Sequence, residues 1–262
     1  MSLVLLAGGV VGARAAAVVK PRRLLVQPAS LELRGPGDEH GLLVTAVTGD
    51  GRTVDVTDQA RFASKTPETV TVSSNGVCRA LADGSVEIVV EFGGKSARVS
   101  VSVTDAARSG APSFRQEVLP VLTKAGCNSG ACHGKLAGQN GFKLSLRGYA
   151  PELDYGWLTT DLNGRRINPA APGDSLLVLK PLGAVPHEGH QRFAEGSRYH
   201  RLLVDWIAHR APGPVAAETD AVRLEILPGN RTVRTNETQQ LLARAHYADG
   251  RVRDVTDRKS VV

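Results

Sequence analysis

Two cysteines and a histidine that could hold a cofactor lie near the middle of the chain, in the run G-C-N-S-G-A-C-H-G at residues 126–134. Two thiols can form thioethers with the two vinyl groups of a haem, and a histidine directly after the second thiol can ligate the iron. The usual spacing is C-x-x-C-H, whereas four residues separate Cys127 from Cys132, three of them small. Because the Cys132–His133 adjacency is intact, the run predicts one covalently bound c-type haem per chain, with His133 as the first iron ligand.

Three other interpretations of these cysteines stay open at this point. Cys127 and Cys132 could form a disulfide in an exported protein. They could instead share a zinc ion with His133 and a second histidine, or they could be free buried thiols. The third cysteine, Cys78, lies in a strand-like stretch and is expected to be a small buried apolar residue.

The second iron ligand is predicted to be a histidine as well. The chain has one methionine, Met1, which removal of an export signal would take away, so no thioether sulfur would remain for the iron. His187 lies in the loop before the last predicted helix, where a small cytochrome has its second ligand, and His190 is the alternative. An imidazole in place of a thioether favours ferric iron and a lower reduction potential. His200 and His209 are expected at the surface or beside the haem propionates, whereas His40 and His246, in the β domains, are expected in solvent.

Four basic side chains near the cysteine run are candidates for contacts with the haem propionates. Charge-assisted hydrogen bonds from lysine or arginine to carboxylates are short and strong. An equally simple interpretation is that these residues are solvated surface charges. The candidates are Lys143, Arg147, Arg165 and Arg166.

Two predicted helices enclose this chemistry within residues 112–213. The first begins at Pro112, where Ser113 can cap the helix and Gln116 can close a capping box. The last runs from Ser197 to Arg210, with an apolar stripe that includes Trp206. The order is a helix with an aromatic residue, the cysteine run, a loop with a histidine and a final helix, as in a small class-I cytochrome. Phe114 of the first helix is therefore expected to pack near Trp206 of the last.

Residues 21–105 predict a different structure, an all-β sandwich of immunoglobulin type. Short segments rich in valine, leucine and threonine alternate with turn signals such as Asn75-Gly76. A second copy starts at residue 221, because G-D-G-R-T-V-D-V-T-D at 49–58 returns as A-D-G-R-V-R-D-V-T-D at 248–257. The predicted strands are 24–27, 30–33, 42–47, 70–73, 77–80, 86–92 and 97–103. The fold prediction is thus multidomain: a β sandwich, a small mainly α domain and a partial second sandwich at 221–262, which predicts the front of a longer protein.

The repeated strand, D-G-R hairpin and D-V-T-D run resemble the bacterial group-2 immunoglobulin-like domain. The segment between the copies resembles the cytochrome c-like domain of large exported planctomycete proteins, which carry group-2 immunoglobulin-like domains beside that module. The resemblance covers residues 112–213 and includes G-Q-N-G-F-K-L-S-L at 138–146, S-L-L-V-L-K-P at 175–181 and V-P-H-E-G at 185–189. It implies a haem domain, although H-E-G-H stands where that family usually has H-G-G-G.

The ends and the charge of the chain suggest where it works. An apolar run and an A-R-A sequence within residues 1–17 predict a signal peptide, although the usual positive start is missing, and no later stretch is apolar enough to span a membrane. The net charge is +6, but the basic residues are scattered. A nucleic-acid binder would instead show a basic stripe with interleaved aromatic residues. We therefore expect an exported protein of the periplasm or cell surface.

These observations predict an electron-transfer module in which the immunoglobulin-like domains act as spacers or adhesion units. Its partners would be a redox protein and, through the β domains, a surface polysaccharide or protein. The sequence shows no Ser-His-Asp set, carboxylate pair or phosphate loop in a supporting context, which favours a carrier over a catalyst. Two alternatives are a structural or binding protein stapled by the haem or a disulfide, and the redox part of a longer enzyme.

Overall fold

The computed structural model describes residues 19–108, 110–215, 218–235 and 237–256. The chain forms two units. Met1–Ala107 and Ala221–Val262 make up the first, here called the β unit, and Arg108–Asp220 make up the second, here called the helical unit. The signal peptide predicted at residues 1–17 lies outside the described residues.

The first copy in the β unit consists of ten strands in three sheets. They are Pro21–Gln27 (β1), Ser30–Arg34 (β2), Glu39–Gly41 (β3), Leu43–Thr48 (β4), Thr53–Asp55 (β5), Arg61–Ser64 (β6), Val70–Val72 (β7), Val77–Ala80 (β8), Gly84–Phe92 (β9) and Lys95–Thr104 (β10). The sheet orders are β1-β4-β5, β2-β10-β9-β6 and β3-β8-β7. All pairs are antiparallel except β2 with β10. These sheets form an immunoglobulin-like sandwich, as the sequence predicted.

Alternation of side chains builds the core of this sandwich. In β9 the buried residues are Val86, Ile88 and Val90, and every second residue of β10 from Val99 to Val103 is buried against them. This is the period of two that a strand with one solvated face requires. Cys78 is fully buried in the same core, as expected for a small apolar residue.

The prediction that the two histidines of the β unit are exposed to solvent was wrong. His40 is 2% exposed, and its Nδ1 lies 2.9 Å from the carbonyl oxygen of Gly41. Burial lowers the pKa of His40, so its neutral form predominates near neutral pH. His246 is half-buried and its Nε2 lies 3.0 Å from a carboxylate oxygen of Glu225. Both side chains were expected in solvent, but neighbouring strands cover them.

The second copy repeats one sheet of the first. Its strands are Ala221–Leu227 (β11), Leu242–Tyr247 (β12) and Val252–Asp254 (β13), in the order β11-β12-β13 that matches β1-β4-β5. Both long strand pairs also shift register near their start, at Pro21/Arg23 and at Ala221/Arg223. Leu224 is 62% exposed, whereas Leu24 at the corresponding position packs against the core of the first copy. Residues 257–262 of the predicted repeat lie outside the described part of the chain.

The helical unit contains four short α-helices linked by long irregular segments. A π-helical turn, Phe114–Val118, continues into α1 (Leu119–Lys124), and α2 (Pro151–Thr159), α3 (Leu176–Leu182) and α4 (Arg198–Ala208) follow. Short 3₁₀ turns occupy Leu146–Gly148 and Pro172–Asp174. Within the described ranges, no helix has both the length and the apolar character needed to cross a bilayer.

The start of the first helix differs from the prediction in one residue. Ser113 accepts a hydrogen bond from the amide of Gln116, as a cap should, at 2.9 Å. However, Glu117 rather than Gln116 accepts the amide hydrogen of Ser113, also at 2.9 Å. The first turn is wider than an α-turn, so the side chain four residues on, not three, reaches back to the cap.

The first and last helices meet as expected. The rings of Phe114 and Trp206 lie 5.6 Å apart, and both side chains are fully buried. Tyr155 of α2 packs edge-on against Phe114, with ring centroids 5.4 Å apart. The indole of Trp206 also donates to the carbonyl oxygen of Pro212 at 3.0 Å. This aromatic group ties three elements together and forms the centre of the helical unit.

Candidate cofactor site

Backbone hydrogen bonds fold the cysteine run into a compact loop directly after α1. The amide of His133 donates to the carbonyl of Cys127 at 3.0 Å, and the amides of Cys132 and Gly134 both donate to the carbonyl of Ser129 at 3.0 Å. A Cβ atom on Gly134 would lie 2.1 Å from the carbonyl oxygen of Asn128, so only glycine permits this closure. The four residues between the thiols therefore lie in turns that close on the carbonyls of Cys127 and Ser129.

A cavity of about 690 Å³ opens beside this loop, wholly within the helical unit. Cys127, Cys132, His133 and His187 all line it. Its volume falls within the range of about 300–1,000 Å³ that is typical of cofactor and ligand sites. Apolar side chains form much of the remaining wall: Leu122, Phe142, Leu162, Leu176, Leu177 and Pro181.

The two imidazoles of the cavity are held in the same way. Nδ1 of His133 lies 3.0 Å from the carbonyl oxygen of Phe142, and Nδ1 of His187 lies 3.0 Å from that of His190. A carbonyl oxygen can only accept, so Nδ1 carries the hydrogen in each ring and Nε2 keeps a lone pair for a metal. His190 contributes its backbone but is itself exposed and does not line the cavity.

The environment of His133 favours the neutral form that a metal requires. Burial lowers its pKa more than the hydrogen bond to Phe142 raises it, and the nearby positive charges of Arg166 and Lys180 also lower the pKa. The segment after Phe142 is fixed in turn, because the amide of Leu144 donates to the carbonyl of His133 at 2.8 Å and Ser145 binds the buried carboxylate of Asp154 on α2. The first imidazole is therefore oriented by α2 as well as by the cysteine loop.

The two thiols stand in different surroundings. Cys127 packs against the apolar core of the helical unit, and burial raises the pKa of its thiol to about 11. The Sγ atom of Cys132 lies 3.7 Å from a guanidinium nitrogen of Arg192. The sulfur atoms are not joined in a disulfide. Among the described residues, no group of three or more histidine, cysteine, aspartate or glutamate side chains converges as a metal-ion site.

The basic residues around the cavity differ in part from those expected. Arg165 and Arg166 line it, whereas Lys143 stacks on the ring of Trp157 at 4.8 Å and Arg147 is exposed outside the lining. Arg166 donates to three backbone carbonyls, those of Gly141, Trp157 and Asp161, and so braces the wall.

Two further cations that were not predicted from the sequence, Lys180 and Arg192, also line the cavity. Lys180 lies on α3, and its Nζ donates to the carbonyl of Pro186 at 3.0 Å, a bond that anchors the loop of His187. Lys180 belongs to the run at 175–181 and Arg192 follows the run at 185–189 by three residues, but neither run predicts that these side chains reach the cavity. Among the described lining residues, Glu188 is the one carboxylate, so the cavity carries a clear excess of positive charge.

Comparison with known protein families gives a match within the β unit. Residues 58–105 match the family model of the bacterial Ig-like domain. The bacterial Ig-like match begins after β5 and ends after β10. Of the five strands within it, β7, β8, β9 and β10 together supply most of the buried residues of the core. It is narrower than the group-2 assignment over residues 21–105, and the helical unit with its cavity lies outside it.

Solved structures resemble the chain over about a third of its length. Domains 5–6 of the S-layer protein SbsC are 23% identical over 34% of this chain and 46% of that chain, with a TM-score of 0.27. A bacterial Ig-like domain containing GH10 xylanase from termite gut is 16% identical over 36% of this chain and 22% of its own, with a TM-score of 0.24. The chain thus spans less than half of either relative. No curated protein sequence matches it significantly.

Proposed function

We propose that the chain is an exported c-type haem protein in which the helical unit transfers electrons and the Ig-like copies serve as spacers or adhesion units. The observation that supports this most is one cavity that is lined by two thiols and by two imidazoles, each with Nδ1 bound to a backbone carbonyl. A haem iron takes two ligands from the protein, and His133 and His187 would supply them.

The residues of the cavity suit a haem in volume, charge and chemistry. Cys127 and Cys132 would form the thioethers, and His133 and His187 would ligate the iron through Nε2. Arg165, Lys180 and Arg192 would pair with the propionates, in place of Lys143 and Arg147. A haem held there would supply a one-electron change of iron valence.

The protein would set the potential of that change through its own side chains. Two imidazoles favour ferric iron, and the apolar wall around Leu122 and Leu177 excludes water from the ring. The cations that line the cavity act against the preference of two imidazoles for ferric iron, because positive charge nearby favours ferrous iron. For the same surroundings, the second imidazole places the expected potential below that of a cytochrome with methionine and histidine ligands.

A redox titration of the haem-loaded full chain tests this function. The protein is produced with export and haem-attachment machinery, and its absorbance is followed against applied potential. We expect a reversible one-electron couple. An irreversible or silent spectrum over the accessible range would leave the haem as a structural staple and contradict electron transfer.

A cell-surface structural or binding role is the second candidate function. The bacterial Ig-like match at residues 58–105 and the largely β architecture favour it. In that case the partner would be a surface protein or polysaccharide bound by the Ig-like copies, and the cavity of the helical unit would not carry the main function. The redox titration separates the two candidates.

A further inference from the structure

The two copies of the β unit correspond residue for residue around the repeated D-x-T motif. Aligning Leu42-Leu43 with Leu241-Leu242 and Thr57 with Thr256 makes Asp55 the counterpart of Asp254. By the same alignment, His40 and Gly41 correspond to Gln239 and Gln240. The correspondence fixes which contacts of one copy should recur in the other.

Within each copy the aspartate performs a local task with one of its two oxygens. Oδ1 of Asp55 accepts the amide of Thr57 at 2.9 Å, and Oδ1 of Asp254 accepts the amide of Thr256 at 2.8 Å. Each threonine hydroxyl then accepts an amide of the neighbouring strand, that of Val44 or its counterpart Ala243. This half of the carboxylate stabilises its own copy.

The other oxygen of each aspartate reaches into the opposite copy. Oδ2 of Asp254 accepts the amide of Gly41 at 2.7 Å, and Oδ2 of Asp55 accepts the amide of Gln240 at 2.5 Å. Since Gly41 and Gln240 are counterparts, the two copies exchange the same hydrogen bond. The side chains of the preceding residues differ: Nε2 of Gln239 donates to Oδ2 of Asp55 at 3.1 Å, whereas Nδ1 of His40 lies 4.0 Å from Oδ2 of Asp254, beyond hydrogen-bond distance.

This exchange is the pattern of an isologous interface, in which the same patch on each partner binds the other about a two-fold axis. Asp254 is 4% exposed and His40 is 2% exposed, so at one of the two exchange points water is largely excluded. A buried carboxylate is tolerated only with donors placed on it. The backbone amide of Gly41 is such a donor.

We propose that this patch, formed by β3, the D-x-T aspartate and their counterparts, is a homotypic docking surface whose partner is a second copy of the same repeat. The aspartate is the residue that recognises the other copy. Its Oδ1 accepts the threonine amide of its own copy, and its Oδ2 accepts the amide of Gly41 or Gln240 in the other copy. In this chain the second copy occupies the surface of the first.

Residue-resolved amide hydrogen exchange of the full chain tests the proposal with Asp254→Asn and Asp55→Asn. Asparagine keeps one acceptor oxygen, which suffices for the local threonine bond but not for both bonds. We expect Asp254→Asn to speed exchange at Gly41 and Asp55→Asn to speed it at Gln240. Each change should be about ten- to hundredfold, the effect of losing a charge-assisted hydrogen bond.

The control is Asp249→Asn, since Asp249 lies in the hairpin turn of the second copy and accepts hydrogen bonds from the amide and the guanidinium of Arg251. It should leave both amides unchanged. Faster exchange confined to the copy that carries the substitution would overturn the proposal, because the carboxylate would then act only locally. A uniform rise throughout the β unit, equal for both variants, would overturn it as well.

Discussion

The His187→Ala variant of the haem-loaded protein is expected to show a high-spin ferric spectrum. The imidazole of His187 lines the cavity with its Nδ1 bound to the carbonyl of His190, which leaves Nε2 for the iron. Alanine removes this strong-field ligand and leaves water or an open position. The visible and electron paramagnetic resonance spectra of the oxidised protein measure the change.

The matched control is His190→Asn. The side chain of His190 is exposed, and the hydrogen bonds between His190 and His187 use only the backbone amide and carbonyl of His190, so asparagine should leave the spectrum low-spin. Asparagine is chosen because residue 190 has a φ of +56°, a conformation that asparagine tolerates better than alanine. A low-spin His187→Ala protein together with a high-spin His190→Asn protein would assign the ligand to His190.

Replacement of Trp206 by alanine should lower the free energy of unfolding of the helical unit by about 3–5 kcal/mol, the usual cost of removing a buried large aromatic side chain. The indole is fully buried, lies 5.6 Å from the ring of Phe114 and donates to the carbonyl of Pro212. Chemical denaturation followed by near-ultraviolet circular dichroism measures the loss.

Two milder variants of the same helix calibrate this prediction. Trp206→Phe keeps most of the packing and removes the bond to Pro212, so it should cost clearly less than alanine. Asp205→Ala removes a half-exposed side chain that pairs with His209 and should change the free energy of unfolding by less than about 1 kcal/mol. Equal, small effects of Trp206→Ala and Asp205→Ala would mean that the aromatic group does not hold the unit together.

The strands of the sandwich could be predicted where the period of two was long. β9 and β10 each show several alternating valines or isoleucines, and all seven predicted strands are present, six of them with a shifted end and Val77–Ala80 with the predicted ends. The missed strands β3, β5 and β6 are three or four residues long, and β6 has no fully buried residue. Such segments are strands because neighbours supply their hydrogen bonds, a tertiary effect that local sequence does not contain.

The cysteines and histidines of the cavity could be predicted from the sequence, but the charged residues that line it could be predicted only in part. The spacing of the cysteines and the placing of His187 before α4 were sufficient to select residues that do line one cavity. Lys180 and Arg192 were missed because a positive charge next to a loop looks the same in sequence whether it turns inward or outward. His40 was expected in solvent for a similar reason: a contact with Asp254, more than two hundred residues away, buries it.

The central claim, a haem bound covalently through Cys127 and Cys132, is tested most directly by denaturing the haem-loaded protein in acidified organic solvent and recording the intact mass of the polypeptide. We expect the colour to stay with the polypeptide and the mass to rise by one haem. A Cys127→Ser/Cys132→Ser chain produced in parallel should show neither. Passage of all the colour into the organic phase, with an unmodified mass for the native sequence, would contradict it.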